Sequence, residues 1–387
     1  MVSFSPAVAR SALATGISYG NLAVALPLLV LANDRSPSLA ALLLAAHTIA
    51  FSIGALCARA LRRAETGVVL GLVAMAGGDL ALTLASTVGV LAAGAVVNGV
   101  GMGLFWVGVQ AWLGRRSGIH GSQRAFVRQY ALYVFGTASG AAVTGLAVAA
   151  TRRLGASDAT SISLTFLVGA AATVLVLPQM IAWLSRITAA SPERPRLHPF
   201  LGLALQAPDL LLVAAMGMLL SLVPIVLSDT YALSPLTIGI ASGCIAAAKI
   251  AGSLIAGGCA VALGSRATVG AMLVGSALAA AALVATDHAL IFVTFTVAAT
   301  FFGIGVWPIV VDGALARVSP SRRPELTVVW NVREYAMIAA TTAGGGLVLD
   351  VTGGPAATFA LAAMLLLTAA LAALAVLRRP VYIATAT

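Results

Sequence analysis

Side chains that can do chemistry stand in this chain where lipid would penalise them. Lys249 lies near the middle of an apolar run and is the only lysine among 22 basic residues. Arginine keeps its charge, whereas an ammonium exchanges its proton, so a lysine here points to contact with a solute or a proton. The alternative is a structural ion pair, with Glu334 as partner. Arg128 and Arg333 lie a turn or more inside two further runs; Arg333 is roughly 12 Å beyond Glu325 at the rise of a helix. Gln110 and Asp312 lie five residues before the inner ends of the neighbouring spans, counted to Arg115 and Arg317, so the four should share a depth. That arrangement suits a gate or an anion site with Asp312 and Glu334 as partners, or arginines that merely snorkel to the headgroups. His47 and Asp79 are expected at one depth on adjacent antiparallel helices. A buried pair of this kind can carry a proton near neutral pH, or serve as a structural hydrogen bond. Ionisable groups inside a membrane cost roughly 2.5–3.5 kcal/mol each on insertion scales, so each is a functional candidate by default.

The elements that must hold these groups occur twice. Gly101-Met-Gly103 through Arg115 reappears as Gly303-Ile-Gly305 through Arg317, 202 positions on, with Gln110 matching Asp312. Val127-Arg128-Gln129-Tyr130-Ala131 reappears as Val332-Arg333-Glu334-Tyr335-Ala336, 205 positions on. Gly20 and Pro27 match Gly217 and Pro224, and Gly54-Ala-Leu56 matches Gly252-Ser-Leu254. A period near half the chain means a duplicated protein and not a solenoid.

Composition places both copies in a bilayer. Hydrophobic residues make up 60% of the chain, charged residues 9%, and the mean hydropathy is +1.04. A soluble fold carries about 25% charged residues. Twelve runs are long enough to span: roughly 11–32, 39–58, 67–86, 88–113, 122–150, 161–185, 208–228, 236–263, 268–286, 289–312, 325–350 and 356–377. They are continuous and not alternating, which excludes a β-barrel. The first follows Arg10 as a signal peptide would, but it is too long and has no cleavage site.

With both termini inside, the outer face receives only Arg35, Arg152 and Arg153, and Lys249 is mid-span; every other basic residue falls to the inner side. That bias also accounts for the net charge of +10 without nucleic acid. Residues 186–207, with three prolines and most of the central charge, read as a cytoplasmic linker between an N-terminal bundle (1–185) and a C-terminal bundle (208–387). Cys57, Cys244 and Cys259 sit in apolar runs without metal-type spacing. No nucleotide-binding loop is present; Gly99-Val-Gly101-Met-Gly103 follows no strand and reads as helix-packing glycine. No cofactor and no metal are expected.

The loop after span 2, Gly54-Ala-Leu56-Cys-Ala58-Arg59-Ala-Leu61-Arg62-Arg63, resembles the Gly-x-Leu-Ala-Asp-Arg-x-Gly-Arg-(Arg/Lys) loop of the major facilitator superfamily. It keeps the glycine, the leucine and three basic positions, with Ala58 in place of the acid and Leu61 in place of the second glycine. Span 4 has Asn98-Gly99-Val-Gly101 where drug/proton antiporters have Gln-Gly-x-Gly, with Ala95 at the arginine position. The resemblance covers the whole chain. It implies an all-α integral membrane fold of 12 transmembrane helices in two pseudo-symmetric six-helix bundles that rock around a midplane site. Spans 1, 4, 7 and 10 would line the cavity, bringing Asn21, Asn98, Trp106, Ser221 and Trp307 to it, as ligand contacts or as helix packing. Gly54, Arg59, Arg62 and Arg63 would form the conformational-switch loop.

The expected function is therefore a monomeric secondary transporter in the cytoplasmic membrane, moving a small organic solute with protons as coupling ion. Export is favoured by the Gly20/Pro27 pattern and the span 4 glycines. Uptake or exchange of an organic anion is the alternative, which buried cations would suit. A membrane-embedded enzyme such as a lipid transferase would need a His, Asp or Cys cluster at a membrane face, and short arginine-rich loops do not supply one.

Overall fold

The computed structural model describes residues 5–61, 64–116, 119–184, 202–315, 317–318 and 323–377. They form thirteen α-helices and a 3₁₀ turn, with no strand among the described residues. The first half comprises α1 (Pro6–Ala32), α2 (Pro37–Ala60), α3 (Ala64–Thr83), α4 (Val88–Arg116), α5 (Ile119–Arg153) and α6 (Asp158–Leu184). The second comprises α7 (Leu203–Asp229), α8 (Pro235–Leu263), α9 (Ser265–Ala282), α10 (Ala289–Gly305), α11 (Trp307–Leu315), α12 (Arg323–Thr352) and α13 (Ala356–Val376). Three of them open on Ser-Pro. Ser5, Ser36 and Ser234 cap the first turns of α1, α2 and α8 with their hydroxyls, and the proline behind each occupies a position that needs no N–H.

Two boundaries differ from the expectation. Helix α7 starts at Leu203, so the last residues assigned to the linker are already helical; residues 185–201 lie outside the described part. The run 289–312 is two helices. Pro308 removes a backbone donor and its ring clashes with the carbonyl four residues back, so α10 ends at Gly305 and α11 begins at Trp307. Taking α10 with α11, eleven segments among the described residues are long and apolar enough to cross a membrane. Helix α12 has the length but carries Arg333 and Glu334, and it packs among them against α2 and α7.

Within each bundle, helix association cannot draw on water exclusion, because lipid is as apolar as leucine; close backbone approach replaces it. Equivalent glycines make equivalent approaches. A Cβ on Gly20 of α1 would meet the Cα of Thr137 on α5 at 2.8 Å, and one on Gly217 of α7 the Cα of Ile338 on α12 at 3.1 Å. Gly54 of α2 backs onto Val100 of α4 as Gly252 of α8 backs onto Phe301 of α10. Large apolar side chains such as Leu175, Leu254, Val261 and Leu371 point outward, a belt that only lipid would cover.

The halves meet along two seams, α2 on α12 and α5 on α8. At the end of the molecule that carries the α1–α2 and α7–α8 turns, here called distal, both seams are shut. Gly346 packs on Ala41, the Ser38 N–H donates to Asp350 Oδ1 at 3.3 Å, and Gly145 lies against Pro235 and Leu236. A continuous apolar core, including Leu26 and Val30 of α1 and Val223 and Leu227 of α7, fills the distal half between them.

Candidate functional site

Below that seal, the seams enclose aromatic rings from both halves. Tyr19 of α1 lies 6.1 Å from Tyr133 of α5 and 5.7 Å from the His47 ring of α2. Trp106 of α4 tilts onto Tyr133 at 5.1 Å. Two pairs cross the seam: Phe51 stacks on Tyr335 of α12 at 3.6 Å, and Tyr130 stacks on Trp307 of α11 at 5.3 Å. Four of the chain's six tyrosines thus face one central space. Side-chain hydrogen bonds tie the same region together, Ser52 Oγ donating to Val332 O at 3.1 Å and Asn331 Nδ2 to Gln110 Oε1 at 3.3 Å. Lys249 lies on α8 between the face turned to α5 through Gly239 and Gly243 and the face turned to α10 through Gly252, so helix periodicity aims it inward. Its neighbour Ile250 packs on the aromatic cluster, and among the described residues its ammonium makes no ion pair.

His47 and Asp79 are brought into one network but do not touch. Asn98 of α4 stands between them: His47 Nε2 lies 3.1 Å from Asn98 Oδ1, and Asn98 Nδ2 donates to Asp79 Oδ1 at 2.8 Å. Ser18 Oγ of α1 donates to the other carboxyl oxygen at 2.8 Å. Any side chain at Gly169 of α6 would collide with that oxygen. The network therefore ties α1, α2, α3 and α4 around Asp79 with α6 at its back. Asp79 is fully buried and every donor aimed at it comes from a neutral group. An amide holds position well and passes protons poorly, so Asn98 interrupts any wire from His47 to Asp79.

A second polar cluster sits in the other half, on α7, α11 and α12. Arg333 donates to Gln206 Oε1 at 3.0 Å, and Gln206 Nε2 donates to the Trp330 carbonyl at 3.0 Å. Asp209, one turn further along α7, is fully buried with Gln206, Trp307 and Trp330 around its carboxyl. Neither Asp209 oxygen and neither indole N–H of Trp307 or Trp330 makes a hydrogen bond of normal geometry. Glu334 approaches the same group closely enough for the two carboxylates to repel. It keeps 8% of its surface where Asp209 keeps none, and it interacts with Tyr130 and Tyr335. Glu334 therefore faces the aromatic space and Asp209 lies behind it.

The remaining candidates separate by position. Asn21 is enclosed between helices, donating to Thr165 O at 2.7 Å and accepting from Thr144 Oγ1 at 2.6 Å. Gln110 meets Asn331 across the halves, while Arg128 and Asp312 are exposed. Gly54 packs α2 onto α4. Of the switch loop, Arg62 and Arg63 lie outside the described residues, as does the Arg59 side chain. Asp209, Gln206, Trp330 and the tyrosines were not singled out by sequence. One signal was present: the repeat that pairs Arg128 with Arg333 also pairs Tyr130 with Tyr335 and Gln129 with Glu334. Asp209 has no such echo, since Ala12 stands at the matching place in α1.

The sequence matches no family model and no curated protein. Solved structures do match over nearly the whole chain. A POT family transporter in complex with 5-aminolevulinic acid aligns with a TM-score of 0.73 at 11% identity, covering 94% of each chain. The Escherichia coli fucose:proton symporter aligns at 0.65 and 11% identity, over 96% of this chain and 98% of that one. A bacterial homologue of the iron transporter ferroportin, in an outward-facing state, aligns at 0.66 and 14% identity, over 98% and 100%. The chain has the major facilitator fold. Its twelve spanning segments form two six-helix bundles, with α10 and α11 together making one segment. In this fold the aromatic space lies at the junction of the two bundles.

Proposed function

We propose that the chain is a secondary transporter that moves a small organic solute across the cytoplasmic membrane by alternating access, coupled to protons and working as an exporter. The observation that carries this reading is the aromatic and polar space shared by both halves and shut at the distal end by two glycine-backed seams. Rings offer large rigid contact area for an organic solute. Seams made by backbone approach can part as rigid bodies without exposing unpaired groups. The arginine distribution puts the distal end outside and both termini inside. The linker, read from the sequence as 186–207 and cut short by the start of α7 at Leu203, then belongs to the cytoplasmic side, between the two bundles.

The test needs no solute. A single cysteine at Tyr19, in a chain freed of Cys57, Cys244 and Cys259, is exposed to an impermeant maleimide from either side of the membrane. Labelling from both sides is expected. Bridging Ser38→Cys to Asp350→Cys should abolish labelling from the distal side only. Labelling confined to one side, with the seam free, would overturn alternating access.

One observation favours an organic anion as the solute: Lys249 faces the interior without an ion pair. In a thermal-shift panel of organic anions, cations and neutral compounds, Lys249→Gln should then lose stabilisation by anions while Lys249→Arg keeps it. Equal stabilisation of parent and Lys249→Gln removes the anion reading.

A further inference from the structure

We propose that Asp209 and Glu334 form a proton-binding site that sets the position of the broken tenth span through Trp307. The inference rests on the transporter reading above and names where its coupling ion binds. It moves that role away from His47 and Asp79. Three observations carry it.

The first is the pairing of two buried carboxyls on facing helices, α7 and α12, with graded access. Two carboxylates held close in an apolar surround do not both stay charged, and one proton shared between them relieves the repulsion. Glu334, at the edge of the aromatic space, is the entry; Asp209, behind it, is the end of the path. On binding, an O–H bond of a hydronium in the central space breaks and leaves water, an O–H bond forms on the pair, and the pair's negative charge falls by one.

The second is that the groups around Asp209 are placed but not engaged. Two carboxyl oxygens and two indole N–H groups are buried within one cluster, close to one another, and none of the four makes a hydrogen bond of normal geometry. A buried unmade bond is costly, so a small shift that closes these contacts is favoured once the charge calls for it. A carboxylate accepts both indoles and draws α11 and α12 toward α7. A carboxylic acid, with a proton of its own to place, accepts less.

The third is what Trp307 is attached to. It is the first residue of α11, directly after the break that Pro308 imposes, and its ring stacks on Tyr130 in the opposite half. A pull on this indole moves a nine-residue helix that is free of the ladder of α10 and touches the facing bundle. Charge at Asp209 is thereby coupled to the contact between halves.

The other groups near α7 do not compete. Helix α12 presents Glu334 and Arg333, the latter bonded to Gln206. Helix α11 presents Trp307 and, beyond it, the exposed Asp312. Helices α10 and α13 carry no charged residue. On α1, Arg10 bonds Gln179; on α2, His47 is taken by Asn98; and on α8 there is Lys249, which is not among the groups acting on either carboxyl.

Trp307 and Trp330 report on the site directly. Their emission, followed in the purified full chain in detergent with pH as the only variable, should show a one-proton transition. Asp209→Asn should abolish it, Glu334→Gln should shift its midpoint, and Trp307→Phe should lower its amplitude. His47→Gln and Asp79→Asn should leave it in place; His47→Gln alone suffices should the second variant fail to fold. A transition that persists in Asp209→Asn, or that vanishes in His47→Gln, would overturn the inference. The Tyr19 labelling experiment is independent of this one. A chain that alternates but titrates elsewhere keeps the transport reading and loses this site, whereas one-sided labelling removes the transport reading whatever the emission does.

Discussion

The two halves solve one packing problem alike and one polar problem differently. Gly20 and Gly217, and Gly54 and Gly252, make the same approaches in the same pairs of helices. The polar groups diverge. In the first half, Asp79 is held by Ser18 and Asn98, with His47 closing the set. In the second, Asp209 and the indoles beside it are buried without bonds. The fourth span also diverges: α4 runs unbroken from Val88 to Arg116, whereas its counterpart is cut at Pro308, where the repeat has Trp106. One half is a latched body. The other contains a broken span and a buried carboxyl whose oxygens make no hydrogen bond of normal geometry. The difference teaches that two pseudo-symmetric bundles can share the contacts that hold their helices together and still differ in the polar groups they bury.

Breaking the latch should have the largest effect. Asn98→Leu removes the bonds to Asp79 and to His47 while preserving volume, leaving a buried carboxyl and an imidazole short of partners. The expected loss is on the order of 4 kcal/mol, since each unsatisfied buried group costs about 1–3 and a charged one more. It is read as a drop in the thermal midpoint of the detergent-solubilised chain. A midpoint close to the parent's would show that the halves do not differ in this way.

Mending the broken span should have an intermediate effect of opposite sign. Pro308→Ala restores a backbone donor at the break, and interior proline costs a helix about 3 kcal/mol. The tertiary packing that now accommodates the break will offset part of that, so a gain of about 1–2 kcal/mol is expected. With α10 and α11 fused, distal labelling of a Tyr19→Cys reporter should slow relative to the same reporter in the parent, which keeps Pro308 and the break. Unchanged labelling would mean that the break plays no part in opening.

The smallest effect is expected where no bonds exist to lose. Asp209→Asn keeps shape and removes a charge that has no hydrogen bond, so the midpoint should move by less than about 1 kcal/mol, toward higher stability. Against Asn98→Leu this sharpens the contrast: one buried polar residue is indispensable to the fold and the other is expendable to it. A large destabilisation in Asp209→Asn would place both halves in the same class.

Much of the fold was legible without coordinates. Continuous apolar runs fix spanning helices because lipid leaves the backbone no other way to satisfy its bonds. The repeat of Gly101–Arg115 in Gly303–Arg317 located equivalent segments, and the lone Lys249 could be marked as interior. The sequence also placed His47 and Asp79 at one depth, and the structure brings them into one network. What it could not supply was Asn98 between them, because which side chain bridges two helices depends on their rotation and separation. The break at Pro308 was visible as a residue and not as an event, since some spanning helices keep their prolines intact, as α1 does at Pro27 and α7 at Pro224.

Sequence by itself determined that this chain spans a membrane many times, that its halves repeat, and that its buried ionisable groups are few. Those properties are additive along the chain and need no partner to be read. Only the tertiary structure decided which of those groups are satisfied. Asp79 and Asp209 are the same residue type, each in an apolar run, and the run does not say which of them will find partners. Two neutral partners from two other helices close around one, and two tryptophans beside the other make no hydrogen bond of normal geometry. Hydrogen bonds act over a few tenths of an ångström, a precision that exists only once the helices have packed.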